Sequence, residues 1–407
     1  MSKATSKTTM KTESAAGAKP VGKNNPERER KPKFKTAGAV ETEHEKVERL
    51  KRASVTGRLT IGLDMGDKAS HWCALDSAGE VVARDGVATA SGTLERLFQA
   101  IPASLVAMEV GTHSPWISRL VEKCGHEVIV ANARKVKLIS ESSRKNDRLD
   151  AEFLARLARA DRTLLSPIEH RGEAAQADLL LVRVRAELVE LRTEAVNSAR
   201  GLVKPFGERL PACDAATLGR KHAEHLSAKV QGTIKRLLRL VEELSREITE
   251  CDAEIAQISA ERYREETGRL RQVSGVGPIT ALTFILTIDD ASRFGRSRDV
   301  GCYLGLRPKS KQSSESDPEL RISKEGDVYL RKLLVECGQY ILSRRGPDTD
   351  LKRFGSKLAA KGKKKAKRRA VVAVARKLAV LLHRLWVSGE RYEPLRNSEG
   401  TKQAKAA

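Results

Sequence analysis

The sequence predicts an α/β domain followed by a longer, mainly helical region. Five short apolar runs between Leu59 and Asn132 alternate with two amphipathic stretches, the pattern of strands and helices sharing one core. From about residue 173 to 265 apolar residues recur at helical spacing with one break. Beyond Leu270 further helical patterns are separated by a glycine turn and a polar, serine-rich loop. The expected divisions are 1–57, 58–172, 173–266, 267–395 and 396–407.

Residues 1–57 are rich in Lys, Ser, Thr, Gly, Ala and Pro, with almost no large apolar side chains. Burial there cannot offset ordering entropy, so a disordered basic tail is expected, with a weakly helical stretch through ETEHEKVERLKRA. RLTIGLDMG then reads as a buried strand ending in a glycine-containing turn. SHWCALD and EVVARDGVAT read as alternating strands about an AGE turn. TLERLFQAI is an amphipathic helix and SLVAMEV a strand. HSPWISRLVEKCG is a helix closed by Gly125, HEVIVAN a further strand, and NDRLDAEFLARLAR begins a long helix.

The 173–266 region breaks near VKPFGERLPACD. After the break, Leu237, Val241, Leu244, Ile248, Cys251, Ile255 and Ile258 form an a/d seam flanked by charged residues. The helix starting near Ala174 satisfies such a seam, and so does another copy of the chain. The seam's narrowness on so charged a helix gives an oligomeric coiled coil at least equal weight.

LRQVSGVGPITALTFIL places Gly275 and Gly277 between two helical patterns, the second read as amphipathic. It resembles a helix-hairpin-helix, whose backbone N–H groups approach a phosphate; a plain helix–helix turn is the simpler alternative. The loop PKSKQSSESDPELR follows, with Lys324 and Arg331 nearby as phosphate contacts or surface charge. The run KLAAKGKKKAKRRA presents Lys363, Lys364, Lys365, Lys367, Arg368 and Arg369 as a phosphate-contacting surface ahead of a core helix. Lys145 and Arg148, flanking Asp147, are further candidate nucleic-acid contacts.

Composition narrows the partner. The 407 residues carry 76 Lys and Arg against 53 Asp and Glu, a formal net charge of +23. That excess points to a polyanion, most commonly nucleic acid. No apolar stretch approaches the ~18 residues of a membrane span, and the N-terminus lacks a signal-peptide core. Six scattered cysteines without a C-x-x-C pair argue against a zinc site or disulfide framework and fit a cytoplasmic location.

Four acids stand out. Asp64 ends the first strand and Glu109 ends SLVAMEV, both after apolar runs where burying a carboxylate is costly. Asp147 and Asp150 lie three apart, on one face of a helix. Each has a plainer explanation: a turn cap for Asp64, pairing with Arg134 or Lys135 for Glu109, a first-turn acid for Asp147, and pairing with Arg144 or Lys145 for Asp150. Together they point to a site for hard cations such as Mg²⁺. Two such ions about 3.5–4 Å apart stabilise the attacking and leaving oxygens of a phosphodiester.

In that order, IGLDMGDKASHWCALD, VAMEVGTHSPW and KNDRLDAEFLARL resemble the RuvC-like, RNase H-fold domain of the DEDD transposases. These are insertion-sequence recombinases related to the Piv-type DNA invertases, and their four acidic positions fall on Asp64, Glu109, Asp147 and Asp150. GVGPITALTFILTIDDASRF and the segments through LLHRLW resemble the family's C-terminal transposase domain. The resemblance implies a mixed-sheet RNase H-like domain and a DNA transposase that cleaves and exchanges strands with Mg²⁺. It also implies a serine-linked DNA intermediate, with Ser313 as nucleophile and Ser314 where the family commonly has glycine. A structured non-coding guide RNA and a homo-oligomer, dimer or tetramer, complete the expectation. Rival readings are a junction resolvase using water and a non-catalytic DNA-binding protein.

Overall fold

Short turns join β1 (Thr60–Met65), β2 (Ala69–Leu75) and β3 (Val81–Ala88), so these strands can only pair antiparallel. Asp76 holds the second turn, its Oδ1 accepting from the N–H groups of Ala78 and Glu80. Helices α2 (Ser91–Ala100) and α3 (Ser114–Lys123) supply the crossovers that let β4 (Leu105–Glu109) and β5 (Glu127–Ala131) run parallel to β1. The resulting sheet has the order β3-β2-β1-β4-β5. The computed structural model describes residues 42–134, 147–310, 320–360, 362 and 364–397. It separates into two compact units, one ending at Pro167 and the other beginning at Ile168.

The first unit is closed by α4 (Asp147–Ala160), whose Ala151 and Ala155 pack on Cys73 and Leu75. Leu154, Leu157 and Ala158 of the same helix meet Leu105, Ala107, Ile129 and Ala131. Gly62 permits this approach. A Cβ at Gly62 would sit 1.9 Å from the Ala151 carbonyl oxygen and 2.7 Å from the Ala155 nitrogen.

The helical stretch expected through ETEHEKVERLKRA is helix α1 (Glu43–Val55), started by a capping box of Thr42 and Glu45, and it is better anchored than a tail segment. Leu50 is fully buried and Lys46 pairs with Asp85 of β3. One apolar residue at the right position anchors a helix whose composition is otherwise that of a solvated segment.

His126 is buried where β5 begins. Its Nδ1 accepts from the Ser104 N–H at 3.2 Å, and its Nε2 donates to the Phe98 carbonyl at 2.8 Å. Burial pushes its pKa below the usual imidazole value. Protonating Nδ1 would set two donors face to face, so the proton binds the unfolded chain more readily. Stability of this unit is therefore complete above about pH 6.5 and falls as pH drops through the lowered folded value. Thermal unfolding measured across that range should show Tm decreasing on acidification, and the step should shrink in His126→Gln.

In the second unit, α5 (Glu173–Leu202) and α6 (Ala228–Arg262) form a hairpin. Val230, Ile234, Leu238 and Val241 of α6 pack on Ala195, Val196 and Ala199 of α5, and Ile255 on Leu179 and Val182. The Arg185–Asp252 ion pair, at 2.8 Å, bridges the two helices. This corrects the oligomeric reading of the α6 seam, because α5 of the same chain fills it. The register also shifts: Leu238 takes the fully buried place assigned to Leu237.

Beyond the hairpin come α7 (Arg264–Leu270), α8 (Pro278–Ile288), α9 (Ser297–Tyr303), α10 (Val328–Leu342), α11 (Asp350–Ala360) and α12 (Lys364–Ser388). The second correction concerns α8, which is buried on every side from Thr280 to Ile288 rather than amphipathic. Phe284, Ile285 and Ile288 join the main core of this unit, while Leu282 and Leu286 face the hairpin cluster.

Candidate active site and nucleic-acid surfaces

β1 and β4 pair parallel with Leu63 opposite Met108, so the next residues, Asp64 and Glu109, end neighbouring strands side by side. Both carboxylates are half-buried at the carboxyl edge of the sheet, the edge where open α/β sheets bind ligands. Two like charges this close favour a cation between or beside them.

Helix α4 delivers the remaining acids. The Ala151 carbonyl lies over Gly62, two residues before Asp64 in β1, and the adjoining Asp150 is half-buried. Asp147 is the first residue of α4, one turn before Asp150 and on the same helical face. Its side chain lies outside the described residues, as does that of Arg148; Lys145 lies outside altogether. Among the described residues no group of three or more His, Cys, Asp or Glu could hold a metal ion. Strand register brings Asp64 and Glu109 together, whereas Asp150 does not join them in a three-carboxylate group among the described residues.

Past Glu109 the chain turns through Gly111, whose N–H donates to Ser114 Oγ at 3.0 Å and whose carbonyl accepts from it at 2.8 Å. That turn sets His113 between Trp116 and Asp67. Trp116 Nε1 donates to His113 Nδ1 at 3.1 Å, and His113 Nε2 is 3.3 Å from Asp67 Oδ1. An indole N–H can only donate, so the neutral imidazole carries its proton on Nε2, toward Asp67. The sequence reading gave His113 no role; its signal was the H-x-x-W spacing, which puts both side chains on one turn. Gly62 carries no such signal, since a glycine inside a strand shows its purpose only when the helix above it is known.

The cysteines offer no alternative chemistry. All six are free, and burial pushes the Cys73 thiol up to about 11 and raises those of Cys251 and Cys337.

In the second unit Gly275 takes φ +94°, and the Tyr340 ring lies where its Cβ would be, at 2.7 Å. Packing alone demands glycine at Gly275. Gly277 opens into free space at the N-terminus of α8, the arrangement in which backbone amides can meet a phosphate. Arg331 departs from the phosphate-contact expectation. It is 8% exposed and donates to the carbonyls of Leu304, at 3.0 Å, and Glu325, at 2.7 Å. Its guanidinium braces the neighbouring chain. Lys324 is exposed at φ 60°, and Lys365, Lys367, Arg368 and Arg369 are exposed on α12. Lys363 and the Lys364 side chain lie outside the described residues, and so does Ser313. The serine-bearing segment leaves from a closed neck: Pro308 bridges Ile322, the Lys309 N–H donates to the Arg321 carbonyl at 3.0 Å, and the Ser323 N–H to the Arg307 carbonyl at 2.8 Å.

A 3-2-1-4-5 sheet with only its second strand antiparallel to the rest is RNase H-like. Acids stand at the ends of its two inner parallel strands, and the chain is one of the DNA-cleaving enzymes built on that sheet, as its family relationships show. Comparison with known proteins narrows the class. A transposase family profile of the IS110 DEDD type matches residues 61–206, and one for the transposase IS116/IS110/IS902 family matches residues 267–353. The chain is 27% identical over 348 residues to the transposase for insertion sequence element IS1111A of Coxiella burnetii, covering 84% of this chain and 93% of that one. It is 28% identical over 294 residues to the transposase for insertion sequence element IS1328 of Yersinia enterocolitica (70% and 84% covered). A putative transposase of Sinorhizobium fredii is 27% identical over 372 residues, with 89% and 92% covered. The chain belongs to the IS110 family of insertion-sequence transposases, enzymes that bind DNA and break its phosphodiesters.

Membership implies a divalent metal. The donor chemistry fits: Asp64, Glu109 and Asp150 offer only carboxylate oxygens, the ligands hard cations prefer. Among the described residues no helix is long and apolar enough to cross a membrane.

Proposed function

We propose that this transposase cleaves and rejoins DNA in a Mg²⁺-dependent reaction through a serine-linked intermediate. The observation that carries the reading is the adjacency of Asp64 and Glu109 at the sheet edge, with α4 held over Gly62 beside them. Asp64, Glu109, Asp147 and Asp150 would hold one or two Mg²⁺ ions, which when bound offset charge on the attacking and leaving oxygens.

Ser313 is the nucleophile in this reading, presented from the Pro308–Ile322 neck. Its Oγ forms a bond to phosphorus as a DNA P–O bond breaks, and the hydroxyl proton ends on the released DNA oxygen. The count of phosphoester bonds is unchanged, so a second DNA hydroxyl can reverse the step onto a new strand without a high-energy cofactor. The high positive charge suits two polyanions, DNA and a structured non-coding RNA that selects sites by base pairing. The acids and the serine belong to separate units, which suits a homo-oligomer, dimer or tetramer, in which subunits complete one another's sites. With the α6 seam filled internally, Leu180, Val184 and Leu191 form the exposed apolar stripe left on α5 for assembly.

The test is cleavage of element-end DNA with Mg²⁺ and RNA transcribed from the flanking sequence, resolved under denaturing conditions. A DNA–protein adduct lost in both Ser313→Ala and Asp147→Ala is expected. Cleavage without an adduct, indifferent to Ser313→Ala and lost with Asp147→Ala, would replace this reading with a water-using nuclease.

A further inference from the structure

We propose that a groove in the second unit receives unpaired nucleotides of the DNA strand being cut. The groove, about 1230 Å³, lies between α11, α12 and the segment around Ile322. That exceeds the roughly 300–1,000 Å³ of a small-molecule pocket and gives room for a short run of chain. Ten lysines and arginines line it against two acids, Asp350 and Glu393. Arg396 is held by Glu390 at 2.7 Å, and the remaining nine cations still outnumber the two acids. Arg298, Arg321, Arg368 and Arg384 are exposed along it.

The charge alone would suit any phosphate backbone; the lining between the charges is what discriminates. It is apolar, made by Leu306, Ile322, Phe354, Val372, Leu381 and Tyr392. Lys377 stands over the Phe354 ring at 4.0 Å, a cation on an aromatic face. A duplex turns phosphates and groove edges outward and keeps its base faces hidden, so it would leave this surface uncovered. An unpaired strand sets phosphates on the arginines and lays its bases on the apolar and aromatic side chains.

The choice of DNA rests on the serine reading above. Ser310 and Leu320 both line the groove, and Ser310 stands three residues before Ser313 in the sequence, within about 10 Å of chain, so in the serine reading the strand under attack is the nucleic acid nearest to hand. Unpaired nucleotides held there would keep the scissile phosphate out of duplex geometry and leave the freed end bound for exchange.

The proposal is tested with the full-length protein and short oligonucleotides carrying 5-bromodeoxyuridine, photo-crosslinked without Mg²⁺ and mapped by peptide mass spectrometry. Single-stranded DNA should label the peptides bearing Phe354 or Tyr392, and the matching duplex should not. Leu320→Asp should weaken single-strand binding about tenfold, the scale of losing one stacked base, with duplex binding unchanged. Leu320 is 37% exposed, so this substitution spares the core; Val380→Asp, deeper in the wall, should act in the same direction. Equal labelling by the duplex, labelling outside the groove, or stronger labelling by a bromouridine RNA would each overturn the proposal. So would unlabelled protein whose binding ignores Leu320→Asp, the result expected if the chain itself fills the groove. Because no cleavage is needed, groove labelling is independent of whether the serine adduct forms.

Discussion

Asp64→Asn is expected to lower cleavage of element-end DNA by roughly a thousandfold or more while leaving the fold intact. The substitution keeps the shape of the side chain and removes the charge. A metal ion that offsets charge on the reacting oxygens contributes several kcal/mol to the barrier, and about 4 kcal/mol corresponds to that factor. Stability should hardly change. Asp64 is half-buried beside Glu109, and an amide of the same size keeps its packing there. Single-turnover cleavage and thermal unfolding on the same preparation separate the two effects. A variant that cleaves within tenfold of the parent would remove Asp64 from the metal site. Loss of activity together with a large fall in Tm would assign it a turn-capping role.

That separation matters because the sequence and the three-dimensional arrangement carry different parts of the case. The strands of the first unit are legible from period and turns, since apolar runs bounded by Gly66, Gly79 and Gly125 leave little choice of boundary. The acids are legible for a related reason: a carboxylate closing an apolar strand is costly without a partner. Sequence periodicity cannot say which helix fills a seam, so the heptads of α6 leave α5 of the same chain and a second copy as equal candidates until the packing is seen. Nor does composition reveal a buried polar residue that satisfies itself. Thr283 returns its hydroxyl to the Ile279 carbonyl at 2.6 Å, and Thr280 meets Cys337 Sγ at 3.8 Å. Two of the three threonines of α8 are thereby satisfied inside the core, while the Thr287 hydroxyl is buried with no hydrogen-bond partner among the described residues. Arg331 misleads in the same way, its charge spread over two backbone carbonyls. The groove is the least legible feature, because its lining is gathered from Arg298 to Asn397 and α12, which supplies half of its cations, forms only one wall.

Gly62→Ala is expected to damage stability and activity together, in contrast to Asp64→Asn. The added methyl would lie 1.9 Å from the Ala151 carbonyl oxygen and 2.7 Å from the Ala155 nitrogen. Both are backbone atoms of α4, so no side chain can swing aside and the helix itself must lift from the sheet. Overpacking of this kind costs about 1–3 kcal/mol, with the upper end expected where backbone must move. Lifting α4 also separates Ala151, Ala155 and Leu154 from the strands they cover and, in the proposed metal site, displaces Asp147 and Asp150. A displacement of about 1 Å at a reacting centre can cost around a hundredfold in rate, so cleavage should fall even at temperatures where the variant is fully folded. Gly92→Ala is the matched control. A Cβ at Gly92 meets nothing within 4 Å, and Gly92 lies in the first turn of α2, where alanine gains up to about 1 kcal/mol over glycine. That variant should therefore unfold slightly later and cleave normally. If Gly62→Ala matched it in both respects, close seating of α4 on β1 would have no part in building the acidic site.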